Sequence, residues 1–328
     1  MTVQVTVIGL GQIGTSIGLA LAKHKAQITR VGLDRVSDTA HKAEKKGAFD
    51  RISPNLQAAV ENADIIILAV PVDEIRETIQ SIAPYLREES VLLDTSPLKV
   101  TVAAWAKEIL PPKCYFVSIT PSLNPLYLDN LDQGTDSAHE DLFQNSLMVI
   151  THLADTPSKA IQLACDLVIL LGAQLLLADP YESDGLQAAH HQLPQLVSVA
   201  LFNASTTQPG WKEGRKLAGA PFARVTSAVE TFDERQQLGQ AALLNRENVL
   251  RVIDNLLDEL QRLRQAIADQ DGQALQKLFE QARSSRSEWL SQRMAARWDT
   301  TFKQIPIPSA LERLGRLVGL RDRTKDRK

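Results

Sequence analysis

Residues Gly9-Leu10-Gly11-Gln12-Ile13-Gly14 set three glycines in the spacing GxGxxG, directly after an apolar run over 4–9 and ahead of a helical pattern over 13–25. A second apolar run, over 30–33, ends on Asp34, 20 residues after Gly14. Each part meets a need of a bound dinucleotide. Gly9 permits the tight turn, Gly11 lets a pyrophosphate approach the backbone, and Gly14 allows close packing of helix on strand. Leu10, Gln12 and Ile13 complete the cradle, and the helix opening near Ile13 aims free N–H groups and its positive end at the phosphates. Asp34 can accept from both adenosine ribose hydroxyls and repels a 2′-phosphate, which favours NAD over NADP. Arg35, the next residue, offsets part of that repulsion.

Two more strand ends belong at the same rim, because ligands of doubly wound sheets lie at the carboxyl ends of the strands. The run over 65–70 leads into Val70-Pro71, expected beside the nicotinamide ribose. The run over 91–94 ends on Asp94 and brings Ser96 and Lys99 toward the reacting ring. Lys99 either donates to a substrate oxygen or, if desolvated, acts as a base; a surface or phosphate-facing lysine is the other reading.

The elements that must position these residues are legible from periodicity. Strands are expected over 4–9, 30–33, 65–70, 91–94, 115–119 and 146–151, and helices over 13–25, 39–46, 55–61, 72–85 and 100–110. Such alternation implies βαβ units and a parallel sheet covered on both faces. A helix over 160–171 and a strand over 174–178 follow, and Asp179-Pro180 reads as a breaker and domain boundary. Beyond it the β pattern stops, and 186–203, 215–232, 240–269 and 272–298 all read as helices. The fold expected is α/β, a doubly wound Rossmann-type N-terminal domain over 1–180 followed by an all-α domain over 181–304, then a basic tail over 305–328. In the third helix Val249, Ile253, Leu256, Leu260, Leu263 and Ile267 alternate at spacings of four and three, a heptad seam. That seam closes either on the next helix, through Leu275, Leu278, Phe279, Ala282 and Trp289, or on a second copy of the chain.

Composition bounds the function. The chain has 328 residues, 44% hydrophobic and 23% charged, with 36 Lys+Arg against 39 Asp+Glu and a net charge of −3. These are values of an ordinary globular protein, without the basic surplus of a nucleic-acid binder. Cys114 and Cys165 lie far apart, in no CxxC or metal-ligand spacing, so neither a disulfide framework nor a metal site is expected and a reducing cytoplasm fits. The chain opens on a strand rather than a signal peptide, and its most apolar stretch, over 160–178, is interrupted by Gln162, Asp166, Gly172 and Gln174, which argues against a membrane span.

In the order and spacing of GLGQIGTSIG, ADIIILAVPV, DTSPLK, LFQNSLMVIT, LGAQLLLADPYESDGLQAAHHQLPQLVSVAL, KLAGAPF and NRENVL, the chain resembles the prephenate/arogenate dehydrogenase family up to about residue 298. The resemblance implies an N-terminal dinucleotide-binding domain, a helical domain that forms a homodimer, and NAD(P)-dependent oxidative decarboxylation of prephenate or arogenate on the route to tyrosine. A base must take the ring hydroxyl proton, and cationic groups must meet the substrate carboxylates. The family's usual base is a histidine opening an HPxxG segment; here VSITPSLNP puts Thr120 at that position. Pro97 stands at the position of the family's assisting serine, with Ser96 one residue early. The family's SHLPH reads HQLPQ, with Gln192 and Gln195 at the histidine positions. Ser183 replaces a further histidine beside a retained Asp184, and the basic positions after KLAGAPF fall on Ala223 and Ser227, with Arg224 displaced by one.

A substrate half that has lost its basic groups in concert points to an altered substrate, such as a hydroxy acid or imine, or to a non-catalytic NAD-binding protein. The groups left to act are Ser96, Lys99, Thr120 and His191 in catalysis, with His190 and Arg224 toward substrate; His190 and His191 read equally as ordinary helical histidines. His139 follows a polar stretch over 124–137 that is read either as a lid over the site or as a solvated loop.

Overall fold

The structure, a computed structural model, describes residues 2–130, 134–231, 237–296 and 298. The chain divides into two compact units, one holding residues up to Pro180 together with the described residues from Ser287 onward, the other Tyr181–Arg286.

The first unit is built on one sheet. Its strands are β1 (Val3–Ile8), β2 (Ile28–Leu33), β3 (Arg51–Ile52), β4 (Ile65–Leu68), β5 (Val91–Asp94), β6 (Tyr115–Pro121), β7 (Leu147–His152) and β8 (Gln174–Leu177), in the order β3-β2-β1-β4-β5-β6-β7-β8. The crossovers carry α1 (Gln12–Leu21), α2 (Ser37–Lys45), α3 (Leu56–Val60), α4 (Val72–Ile82), α5 (Val100–Ile109) and α6 (Ser158–Leu170). Every residue of β1, β4 and β5 is buried, as expected of strands covered on both faces; β4 (IIIL) is an unbroken apolar run, whereas β1 buries Gln4 and Thr6 between its apolar residues. Val5, Val7, Ile65, Ile67, Leu93, Val117 and Ile119 form the centre of the core, with Ile17 and Leu21 of α1 against them. β1 lies between β2 and β4, so the chain reverses its direction of travel across the sheet there, the switch point at which such folds bind ligands.

The expectation of a parallel sheet needs one correction, because β7 pairs antiparallel with β6. Among the described residues no α-helix separates the two strands, so the chain returns along the rim it has just reached and runs back. α6 then carries β8 parallel to β7. β3, two residues long with Arg51 exposed, has too little apolar sequence to be read in advance.

The second unit is helical: α7 (Pro180–Gln187), α8 (Leu193–Thr206), α9 (Trp211–Gly214), α10 (Ala220–Thr226), α11 (Gln237–Leu244), α12 (Arg246–Ala268) and α13 (Gly272–Met294), whose last residues belong to the first unit. Three of the long helices expected from periodicity are interrupted. Between α7 and α8 a π turn occupies Ala188–Gln192, immediately before Pro194; the wider turn accommodates the ring and the missing N–H. Gly219, in extended conformation, and Pro221 in the first turn of α10 break 215–232. Asn245 separates α11 from α12. Pro180, expected as a breaker, opens α7, where its fixed φ suits the first turn.

Phe202, Trp211 and Phe222, with ring centroids 5.8–6.1 Å apart, join α8, α9 and α10. The buried core of this unit is small, Ala188, Val249 and Val252. On the heptad seam Val249 is buried, but Leu260 is 50% and Ile267 63% exposed, and Phe279 of α13 is 62% exposed. Within a single chain the seam is therefore not closed along its length. The basic tail over 305–328 lies outside the described residues.

Candidate active site

The glycine turn is held by contacts that tolerate no other residue at two positions. Gly9 has φ +92°, and a Cβ there would stand 2.4 Å from the Ala69 carbonyl oxygen. A Cβ on Gly14 would stand 1.9 Å from the Gly9 carbonyl oxygen, so α1 can press onto the turn only without one. Gly11 is different: a Cβ there meets nothing within 4 Å, and the open space lies in front of α1, whose first turn has no side-chain cap. A cleared approach to uncapped N–H groups fits a pyrophosphate. Leu10 serves otherwise than by its side chain: its N–H donates to Asp34 Oδ2 at 2.7 Å, and its carbonyl accepts from the Thr15 and Thr135 hydroxyls, each at 2.7 Å. Gln12 turns its amide to the Ser137 carbonyl at 3.2 Å, and Ile13 packs against the core.

Asp34 receives N–H bonds from Leu10 on Oδ2 and from Val36, at 2.8 Å, on Oδ1. A carboxylate accepts about four bonds, so this aims it and leaves capacity for two ribose hydroxyls. Arg35 turns to Glu74 Oε1 at 2.8 Å. Val70 and Pro71 follow β4 beside the turn; Val70 Cγ1 is 3.0 Å from where a Gly9 Cβ would be.

The connection from β6 to β7 is neither a free lid nor a solvated loop where it is described. Thr135 donates to Leu10, Ser16 Oγ accepts from the His139 N–H at 3.1 Å, and Lys42 of α2 pairs with Asp136 at 2.7 Å. His139 stacks on Tyr127, with centroids 4.3 Å apart. The Tyr127 hydroxyl donates to Asp141 at 2.7 Å; burial and that carboxylate push its pKa up to about 12. Nothing in the sequence marked Thr135 as a contact of the glycine turn.

At the ends of β5 and β6 the predicted residues separate. Asp94 and Lys99 are both fully enclosed and paired at 3.2 Å. The Lys99 ammonium also donates to the carbonyls of Ser96 and of Ile119. Asp94 Oδ2 accepts from Ser96 Oγ at 3.0 Å and Ser118 Oγ at 2.7 Å. Lys99 thus faces inward, tying the segment after β5 to the end of β6, and in this arrangement its ammonium and the Ser96 hydroxyl are bonded within the protein. Thr120 is the exception. Its residue is buried, and among the described residues its hydroxyl has no hydrogen-bond partner.

In the helical unit the π turn carries His190, His191 and Gln192. Gln192 is fully buried; its Oε1 accepts from Asn245 Nδ2 at 2.9 Å, while its Nε2 has no partner among the described residues. The same Asn245 amide donates to the Asp184 carbonyl at 2.9 Å, and the neighbouring Ser183 hydroxyl is likewise buried without a partner. π turns concentrate at functional sites, and this one holds Gln192, an uncharged side chain whose Nε2 is unspent among the described residues. His190 is exposed. His191 is open to solvent by area, yet the protein around it disfavours its charge and lowers its pKa below 6.5. Arg224 is exposed on α10. Among the described residues no three His, Cys, Asp or Glu side chains are grouped to hold a metal, and no helix is long and apolar enough to cross a membrane.

The family model of the prephenate dehydrogenase nucleotide-binding domain matches residues 17–177, and that of the prephenate dehydrogenase dimerization domain matches residues 179–281. The glycine turn precedes the first matched residue, so its reading rests on the geometry above. Cyclohexadienyl dehydrogenase of Zymomonas mobilis is 28% identical over 288 residues, 86% of this chain and 94% of that protein. Prephenate dehydrogenase of Bacillus subtilis is 24% identical over 280 residues, 85% of this chain and 74% of that protein. Among solved structures, prephenate dehydrogenase from A. aeolicus in complex with hydroxyphenyl propionate and NAD+ superposes with a TM-score of 0.76 at 19% identity, over 88% of this chain and 98% of that one, a likeness of fold.

Proposed function

Because the chain belongs to the prephenate dehydrogenase family, we propose that it is an NAD-dependent dehydrogenase acting on a small hydroxyl-bearing acid of the prephenate and arogenate kind, with loss of carbon dioxide, on the route to tyrosine. The carrying observation is the glycine turn, with Gly11 open in front of uncapped α1 and Asp34 aimed by two N–H groups. Gly9 to Gly14, Asp34, Val70 and Pro71 form the NAD site in this reading. Bound nicotinamide supplies the hydride acceptor. The chain's own part is to hold the substrate hydroxyl and remove its proton. A threonine hydroxyl cannot take that proton at neutral pH, so Thr120 orients the substrate and His191 is the base; its lowered pKa keeps it neutral, and hence able to accept a proton, at pH 7. The open heptad seam supports a homodimer paired through the helical domain (181–304), with 1–180 as the cofactor domain.

A second reading has its own observation. Ser183, Gln192 and Thr120 are uncharged and buried at positions where the resembled family carries histidines, and among the described residues the Ser183 and Thr120 hydroxyls and Gln192 Nε2 have no partner. Such groups suit a substrate with fewer carboxylates, a hydroxy acid or imine, with His190 and Arg224 as the basic groups assigned to it in the substrate half. The deciding experiment follows NAD reduction with prephenate, arogenate and a panel of monocarboxylic hydroxy acids and imines. Prephenate or arogenate turnover upholds the first reading; turnover of a panel compound alone upholds the second; no turnover at all despite NADH binding would defeat both and leave a non-catalytic NAD-binding protein.

With the active substrate, kcat/KM should rise with pH through a midpoint below 6.5 and be level above 7, because the required form of His191 is the neutral one; His191→Asn should flatten that acid limb. Thr120→Val should act in opposite directions on two measurements. Removing a buried hydroxyl without a partner should raise unfolding stability by about 1 kcal/mol, while kcat/KM falls about ten-fold through loss of one hydrogen bond to substrate. A loss of both stability and activity would mean the hydroxyl is needed by the fold.

A further inference from the structure

Three cations that follow β2, Arg35, Lys42 and Lys46, have partners within the protein. Arg35, half exposed, gives NH1 to Glu74 Oε1 at 2.8 Å. Lys42 pairs with Asp136 at 2.7 Å, and Lys46 donates to the carbonyls of Asp136, at 3.0 Å, and Ala138, at 3.4 Å. Arg35 follows β2, Glu74 lies in the first turn of α4 after β4, and β2 and β4 flank β1. The Arg35–Glu74 pair therefore bridges the two segments on either side of the glycine turn, next to the carboxylate of Asp34.

We propose that Glu74 sets the dinucleotide preference of this chain by occupying Arg35, the one cation adjacent to Asp34 in sequence and therefore the one best placed to receive a 2′-phosphate. The proposal rests on the reading of 9–14 and Asp34 as the NAD site. Discrimination against a 2′-phosphate then has two parts. Asp34 repels the phosphate directly, and Glu74 both neutralises Arg35 and orients its guanidinium toward α4. An arginine beside an acidic residue is an ambiguous signal in sequence, since it can serve either cofactor. Its partner 39 residues later resolves the ambiguity.

The test is a double-mutant cycle on the full-length protein, with Kd for NADH and NADPH measured by nicotinamide fluorescence for the wild type, Glu74→Gln, Arg35→Ala and the double variant. The wild type should prefer NADH. Glu74→Gln should shift the ratio of the two Kd values toward NADPH by about five-fold, the upper range for a partly exposed ion pair. In the Arg35→Ala background the same change should leave the ratio where Arg35→Ala alone puts it. An unmoved ratio in Glu74→Gln overturns the proposal, and so does an equal shift in both backgrounds, which would make Glu74 a bare negative charge. A wild type that binds neither dinucleotide overturns the NAD reading itself. The Arg35 side chain is 50% and the Glu74 side chain 23% exposed, and neither is part of the apolar core, so folding is retained and every arm is measurable.

Discussion

Lys99→Met should destabilise the protein by about 3–5 kcal/mol, measured by denaturant unfolding of the intact chain. Asp94 and Lys99 are both without solvent access, and removing one charge strands the other in a medium that cannot solvate it. The two serine hydroxyls on Asp94 Oδ2 soften the loss, but they are neutral donors and do not replace a cation. The lysine also donates to two backbone carbonyls, at Ser96 and Ile119, and methionine leaves both short of a donor. Pairing the change with Asp94→Asn should recover most of the stability, since the double variant holds no uncompensated charge. A single variant as stable as the parent would show that the pair contributes nothing, and would reopen Lys99 as a group free to turn toward a substrate.

Gly14→Ala should lower NADH affinity by about 100-fold. The new Cβ would stand 1.9 Å from the Gly9 carbonyl oxygen and 3.1 Å from Val7 Cγ1, and the first is backbone that cannot rotate away. α1 must back off the turn, carrying its N–H groups from the phosphates, and displacements of about an ångström at such sites cost on that scale. Gly11→Ala separates binding from folding. Its Cβ meets no protein atom within 4 Å, so melting should be unchanged while NADH affinity falls, because the methyl enters the space assigned to the pyrophosphate. Unaltered NADH binding in both variants would remove the cofactor from this turn.

The cofactor half of the molecule was legible because its signals are local. Three glycines, an uncapped helix start and an acidic residue at the end of the next strand are neighbours in sequence and remain neighbours in space. The rest depended on contacts that sequence does not display. Lys99 reads as a solvent-seeking residue until Ser96 and Ile119 are seen offering it carbonyls. The bonds from the 135–139 segment to Leu10 and Ser16 join residues more than 120 positions apart. In the helical half, periodicity gave the helices but not their interruptions, because the π turn before Pro194 and the break at Asn245 preserve the apolar spacing on both sides. The reversal of β7 does have a signal in the sequence, the lack of a helical pattern over 122–146 between two strands.

The hydrogen bond from Thr135 to Leu10 spans 125 residues, and it carries a consequence for synthesis on the ribosome. The glycine turn is encoded well ahead of its clamp, which emerges only after β1 to β6 have all been made. A nascent chain ending before residue 134 would possess the turn, the helix start and Asp34, but Leu10 and Ser16 would lack their later partners. Ligand capture during translation would thus be deferred until the β6–β7 connection has left the exit tunnel, and the order of synthesis would itself time the maturation of the pocket.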